Sequence, residues 1–135
     1  MTRPKTHRSK TPKYARAYDA ARRNYQYRAL VDGTVTRRKL AALQAIGYSL
    51  TYLGQQMNPY RTQQSLSETF LSDAPIHRRT ERDIARLYDE LSNNPPEGIY
   101  ANRVRIRARR LGYAAPACWD CIDDLKESPK GVVKA

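Results

Sequence analysis

Short apolar-periodic runs, each closed by glycine or proline punctuation, constrain this chain more than any other feature. Leu40, Ala42, Leu43 and Ile46 form a first stripe, and Gly47 stands where a left-handed helix end is needed. Leu50, Leu53 and Met57 form a second, closed by Asn58-Pro59, because proline cannot extend a helix and biases its predecessor to extended backbone. Leu66 and Phe70, with Thr69 beside them, mark a third run over about residues 62–71, stopped by Ser72-Asp73-Ala74-Pro75. Ile84, Leu87, Tyr88 and Leu91 lie on a fourth stripe that ends at Asn93-Asn94-Pro95-Pro96. Spacings of three and four residues belong to helices that bury one face. A chain punctuated in this way is expected to be all-α, a compact helical bundle.

The helix ends carry matching signals. Thr34 or Thr36 is placed to cap the first of these helices, and Ser49 the second. Ile76 precedes the fourth run as a hydrophobic staple would, with His77 near its cap. A last helix is expected from about Gly98 to Leu111, carrying Ile99, Val104, Ile106, Ala108 and Leu111 among arginines and closed by Gly112. The segment RVRIR also fits the two-residue period of a strand; its arginine-rich continuation and the Gly112 stop favour helix.

The stretch from Ser49 to Leu71 has the dimensions of a helix-turn-helix, in which one helix braces and the next presents its outer face to the major groove. Arg61, Thr62, Gln63, Gln64, Ser65, Ser67 and Glu68 are the expected base-reading set. Glutamine pairs bidentately with adenine, hydroxyls donate or accept, arginine meets guanine or a phosphate, and glutamate accepts from cytosine. Arg37, Arg38, Lys39, Ser49, Thr51 and Tyr60 are the expected phosphate contacts.

Charge supports that reading. The 135 residues carry a formal net charge of +12 and a pI near 10.0, which draws a chain to polyanions and, more weakly, to anionic membrane surfaces. Residues 1–28 set nine basic residues against Asp19, and residues 99–117 hold five arginines and no acid. The middle is close to neutral. Residues 1–12 read as a disordered basic arm, followed at 13–33 by a basic amphipathic helix and linker whose stripe is Tyr14, Tyr18, Ala21 and Tyr25. Arg3, Lys5, Arg8, Lys10, Lys13, Arg16, Arg22 and Arg23 would follow the DNA backbone or a minor groove. The helix-turn-helix domain is expected over 34–94, an arginine-rich helix with a Trp119-anchored tail over 95–127, and a flexible end over 128–135.

At this point a resemblance enters. TRRKLAALQAIGYSLTYLGQQM (36–57) resembles the opening of helix-turn-helix proteins common in actinobacteria and their phages, TRRRLQALxAxGWSxxxLARRLG. Those proteins often continue with a helix like IARLYDEL and end with an arginine-rich helix followed by GWAPPxAWDDDxIDDP; here the ending is RARRLGYAAPACWDCIDDLKESP (107–129). Upstream, YDAARRNYQYRALVDG (18–33) is similar to their arginine-rich lead-in. The likeness spans about residues 31–129. It implies a lambda-repressor-like DNA-binding domain of the kind used by host regulators and temperate-phage immunity repressors. Gly54 stands where such helices usually carry Ala, Asn58 stands where Gly is usual, and the span from Met57 to Ile76 is about two residues longer.

Other chemistry is sparse. Cys118 and Cys121 form half of a zinc or redox motif, but His7 and His77 supply no second half, and the resemblance places acids or aliphatics at the cysteine positions. Trp119 is expected to dock the tail, with Asp120, Asp123 and Asp124 capping a helix or pairing with arginines. No phosphate loop, nucleophile elbow or carboxylate–histidine pairing appears, so no enzyme, metal or cofactor is expected. No apolar run is long enough to span a membrane and the basic start lacks a signal-peptide core, which with the two cysteines points to a reducing cytoplasm, a bacterial one by the resemblance. The expected partner is double-stranded DNA, for a transcriptional regulator acting as a repressor; an architectural, excisionase-like factor would use the same residues. No long heptad seam settles monomer against dimer.

Overall fold

The computed structural model describes residues 29–131. The basic arm and the Tyr14–Tyr25 stripe lie outside these residues. Within them the chain forms β1 (Leu30–Val31), α1 (Thr34–Ala45), α2 (Leu50–Gln55), α3 (Gln63–Leu71), β2 (Ile76–His77), α4 (Arg78–Leu91), α5 (Ile99–Leu111) and a single 3-10 turn at Pro116–Cys118. The helices follow the apolar runs and their breaks.

The core sits where α1, α2, α3 and α4 converge. Leu40, Leu43, Leu53, Leu66 and Ile84 are fully buried, with Tyr48, Leu50, Met57 and Leu87 around them and Ile46, Phe70, Tyr88 and Leu91 closing the edge. Each fully buried leucine removes enough apolar surface from water to contribute about 1.5–3 kcal/mol. Gln44 is also buried, and its side-chain amide donates to the Leu40 carbonyl, so its polar end is satisfied within its own helix.

Helix ends agree with the sequence in part. Ser49 caps α2, its hydroxyl accepting from the Tyr52 N–H. Gly47 has φ +120°, and Gly112 ends α5 in the left-handed region at φ 78°. The start of α1 departs from expectation. Gly33 is its first capping residue, and Asp32, not Thr34 or Thr36, supplies a side-chain oxygen, which accepts from the Thr34 N–H at 2.8 Å. His77 stands at the start of α4 without a side-chain capping bond.

A two-residue antiparallel ladder is not announced by the periodicity. Leu30 pairs with His77 and Val31 with Ile76, and the Arg78 N–H donates to the Ala29 carbonyl at 2.8 Å. Leu30, inside the segment expected as helix and linker, is therefore extended. The pairing joins residues more than forty positions apart, and it clips the entry to α1 against the entry to α4.

On the opposite side α5 packs on α1. Ala101 and Ala108 are buried there, and the Arg105 Nε donates to the Ile46 carbonyl at 2.9 Å. Of the apolar residues expected on α5's inner stripe, Ile99, Ile106 and Leu111 are exposed; the two small alanines make the contact and allow close approach. Among the described residues no helix is long and apolar enough to cross a membrane.

Candidate nucleic-acid interface

The pair α2–α3 is held by one close backbone approach. The Arg61 N–H donates to the Gly54 carbonyl at 3.0 Å, and a β-carbon on Gly54 would lie 2.1 Å from the Arg61 carbonyl oxygen. No side chain fits there. The segment after the Asn58–Pro59 turn folds directly onto α2 at Gly54.

From that turn α3 begins with Thr62 as its cap, the hydroxyl accepting from the Ser65 N–H at 3.1 Å. Leu66 plugs the core. With about 3.6 residues per turn, Gln64, Glu68 and Leu71 fall on the opposite side and Ser67 on a flank, while Gln63, three residues before Leu66, lies nearer its side at the helix start. Gln63, Gln64, Glu68 and Leu71 are exposed and Ser67 is half-buried. Among the described residues the side chains of Gln63, Gln64, Ser67 and Glu68 have no hydrogen-bond or ion-pair partner. Thr51 and Tyr60 are exposed nearby, on α2 and in the turn.

The rest of the expected site is engaged inside the protein. Arg61 runs along the inner flank of α3: Nε donates to the Ser65 hydroxyl (2.8 Å), Nη2 to the Ser65 carbonyl (3.1 Å) and the Thr69 hydroxyl (2.7 Å), and Nη1 to the Thr80 hydroxyl (3.3 Å). Burial lowers the pKa of its guanidinium, and no carboxylate offsets that burial. Ser65 is half-buried beneath it. Arg61 and Ser65 thus hold α3 in place and do not face outward with the glutamines.

The α1 cations are engaged as well. Arg37 donates from Nε to the Thr69 carbonyl at 3.0 Å and from Nη2 to the Ala74 carbonyl. Arg38 donates to four carbonyls of the tail, those of Ile122, Asp124, Leu125 and Glu127, and lies over the Trp119 ring. Lys39 pairs with Asp123 at 3.1 Å, with only 12% of its side chain exposed. The sequence makes these three look like a phosphate clamp because α1 leads the bundle. Their heads instead tie α1 to α3 and to the tail, and Ser49 is committed to its cap.

The tail follows its expectation in outline. Trp119 docks it, but onto Arg38, and the acids meet lysines and not arginines: Asp123 with Lys39, Asp120 with Lys130. Glu127 accepts from the Asp120 and Cys121 N–H groups at 2.6 and 2.7 Å, so one carboxylate closes the loop. The Lys130 N–H donates to the Cys118 carbonyl at 2.9 Å, which holds residues past 127 to the tail. Cys118 and Cys121 are free thiols.

Free cations lie elsewhere. Arg107, Arg109 and Arg110 of α5 are exposed without a partner among the described residues, and Arg103 sits 5.9 Å from the Tyr100 ring centre. Phe70, near the end of α3, meets Tyr113 edge-on at 5.3 Å, so the segment just past α5 touches the end of α3. Arg79 on α4 is likewise exposed and unpartnered. The signal for α5 is legible as its five-arginine block; nothing in the sequence distinguishes Arg79 from its neighbours.

Comparison with known proteins found no match, whether to a protein-family model, to a curated protein or to a solved structure.

Proposed function

We propose that the protein is a sequence-specific double-stranded DNA-binding transcriptional regulator, acting as a repressor and reading the major groove with α3. The observation that carries this is the outer face of that helix. Gln63, Gln64 and Glu68 are exposed and Ser67 half-buried, and among the described residues none of these side chains has an internal partner, on a helix pinned by Arg61, Leu66 and the Gly54 contact. A rigid backbone with free polar side chains suits base reading, because little further ordering is needed on binding.

The strongly positive formal charge supplies the attraction to phosphate, and the exposed arginines of α5 carry part of it. Thr51 and Tyr60 are the remaining phosphate contacts on the α2 side. The resemblance to actinobacterial and phage helix-turn-helix proteins fits the same reading and suggests an immunity repressor.

Selecting bound sequences from a random duplex pool tests it. A defined consensus is expected, and recovery of unenriched sequence would overturn base-specific reading. The α5 arginines also favour a second reading, an architectural factor that bends DNA around that end. Gel shifts with circularly permuted sites distinguish it, since mobility then depends strongly on site position.

A further inference from the structure

Between α3 and α4 lies a cleft of about 490 Å³, lined by three arginines from three elements: Arg37 of α1, Arg61 of the helix-turn-helix turn and Arg79 of α4. The hydroxyls of Ser65, Thr69 and Thr80 face the same space. None of the three guanidiniums is paired with a carboxylate: Arg61 donates to hydroxyls and a carbonyl, Arg37 donates to carbonyls, and Arg79 has no partner among the described residues.

Guanidiniums gathered at one cleft without direct ion pairs repel one another, and an anion seated between them offsets that repulsion. Guanidiniums present forked donors that match phosphate oxygens, and Arg37 and Arg79 keep donors unspent by the fold. Two carboxylates also border the cleft. Asp83 is occupied by Arg86 at 2.8 Å and by the Asn58 N–H at 2.8 Å. Glu68 stands exposed at the rim, without a partner among the described residues, where it opposes an incoming anion.

We propose that this cleft is a phosphate-binding site, taking a phosphoryl group either from a free phosphorylated small molecule or from a nucleic-acid backbone. Arg79 supplies the accessible fork, Arg37 and Arg61 the inner positive wall, and Thr80 a hydroxyl. Because Arg61 also fixes Ser65 and Thr69 of α3, occupancy of the cleft bears on the helix proposed to read DNA. The site goes beyond base reading and does not require it. Phosphate binding is read on the protein alone and base reading on the selected duplex, so either fails without the other.

The test is a titration of the full chain followed by NMR of the arginine Nε–H groups, with inorganic phosphate, methyl phosphate and dimethyl phosphate as probes. Saturable shifts are expected at Arg37, Arg61 and Arg79, with Arg103, Arg107, Arg109 and Arg110 little moved. Arg79→Gln, at an exposed and unpartnered position, should weaken binding about tenfold, and Glu68→Gln should strengthen it. Binding of the monoester but not the diester assigns the site to a free phosphorylated molecule. Equal competition by the diester, with the same shifts on adding random-sequence duplex, assigns it to the backbone. No saturation, shifts spread equally over α5, or folded Arg79→Gln protein that binds as the parent does would each overturn the proposal.

Discussion

The guanidinium of Arg38 lies 4.4 Å from the ring centre of Trp119, while its two Nη groups donate to four carbonyls of the segment that follows. One α1 side chain therefore organises the whole tail, and Lys39 adds an ion pair to Asp123 beside it. Trp119→Ala should destabilise the protein by about 2 kcal/mol through lost packing and cation–π contact. Trp119→Phe should cost less, because the ring is kept and the indole N–H, buried without an acceptor, is removed. Arg38→Lys preserves charge but not the fork, and should cost about 1–3 kcal/mol. Denaturant midpoints measure all three, and limited proteolysis should find cleavage of residues 116–127 faster in Trp119→Ala and Arg38→Lys.

Gly54→Ala is expected to disrupt the α2–α3 pair. Alanine usually stabilises a helix by up to about 1 kcal/mol over glycine. Here its β-carbon meets a backbone carbonyl at 2.1 Å, which cannot swing aside as a flexible side chain would. The net effect should be a loss of at least about 2 kcal/mol, read by chemical denaturation. A variant as stable as the parent would show that the turn does not press on α2.

Gln64→Ala should cost about 1–3 kcal/mol of binding at particular base pairs and leave stability nearly unchanged, since the side chain is exposed and makes no internal bond. Arg61→Ala should instead destabilise the fold and weaken binding to every sequence, because four hydrogen bonds to Ser65, Thr69 and Thr80 are lost. Competition binding against single-base variants of the selected site separates the two behaviours. Uniform loss with Gln64→Ala would contradict base reading by α3.

Alkaline pH should weaken the fold through Tyr48 and Tyr88. Burial raises both phenol pKa values above the ordinary 10.0, with Tyr52 adding to the shift at Tyr48 and Asp123 and Asp89 at Tyr88. Above pH 10 the unfolded chain gives up these protons while the folded chain retains them, so stability falls as pH rises toward the folded values. Below that it is unaffected by these groups. Tyr48 also donates to the Asn94 carbonyl across the break between α4 and α5. Tyr48→Phe should lose about 1 kcal/mol near neutral pH and show a shallower decline between about pH 9 and pH 11, measured by denaturant midpoints across that range.

Periodicity and punctuation by themselves determined the helices of this protein. Leu40, Leu53, Leu66 and Ile84 repeat at helical spacing and are fully buried, and Gly47, Asn58-Pro59 and Gly112 stop helices because local backbone geometry leaves little choice. The outward placement of Gln64 and Glu68 follows from the same period, once Leu66 faces the core; Gln63 is exposed because it opens the helix. The destination of the cations was decided only by tertiary structure. Arg37, Arg38, Lys39 and Arg61 have the same chemistry as free surface cations, and nothing adjacent to them in the chain provides the Thr69 carbonyl, the tail carbonyls, Asp123 or Thr80. Their partners arrive from residues four to nearly ninety positions away. Long flexible side chains reach whatever the packed helices place nearby, so helix period is legible locally while the partner of an arginine emerges only when the chain has closed on itself.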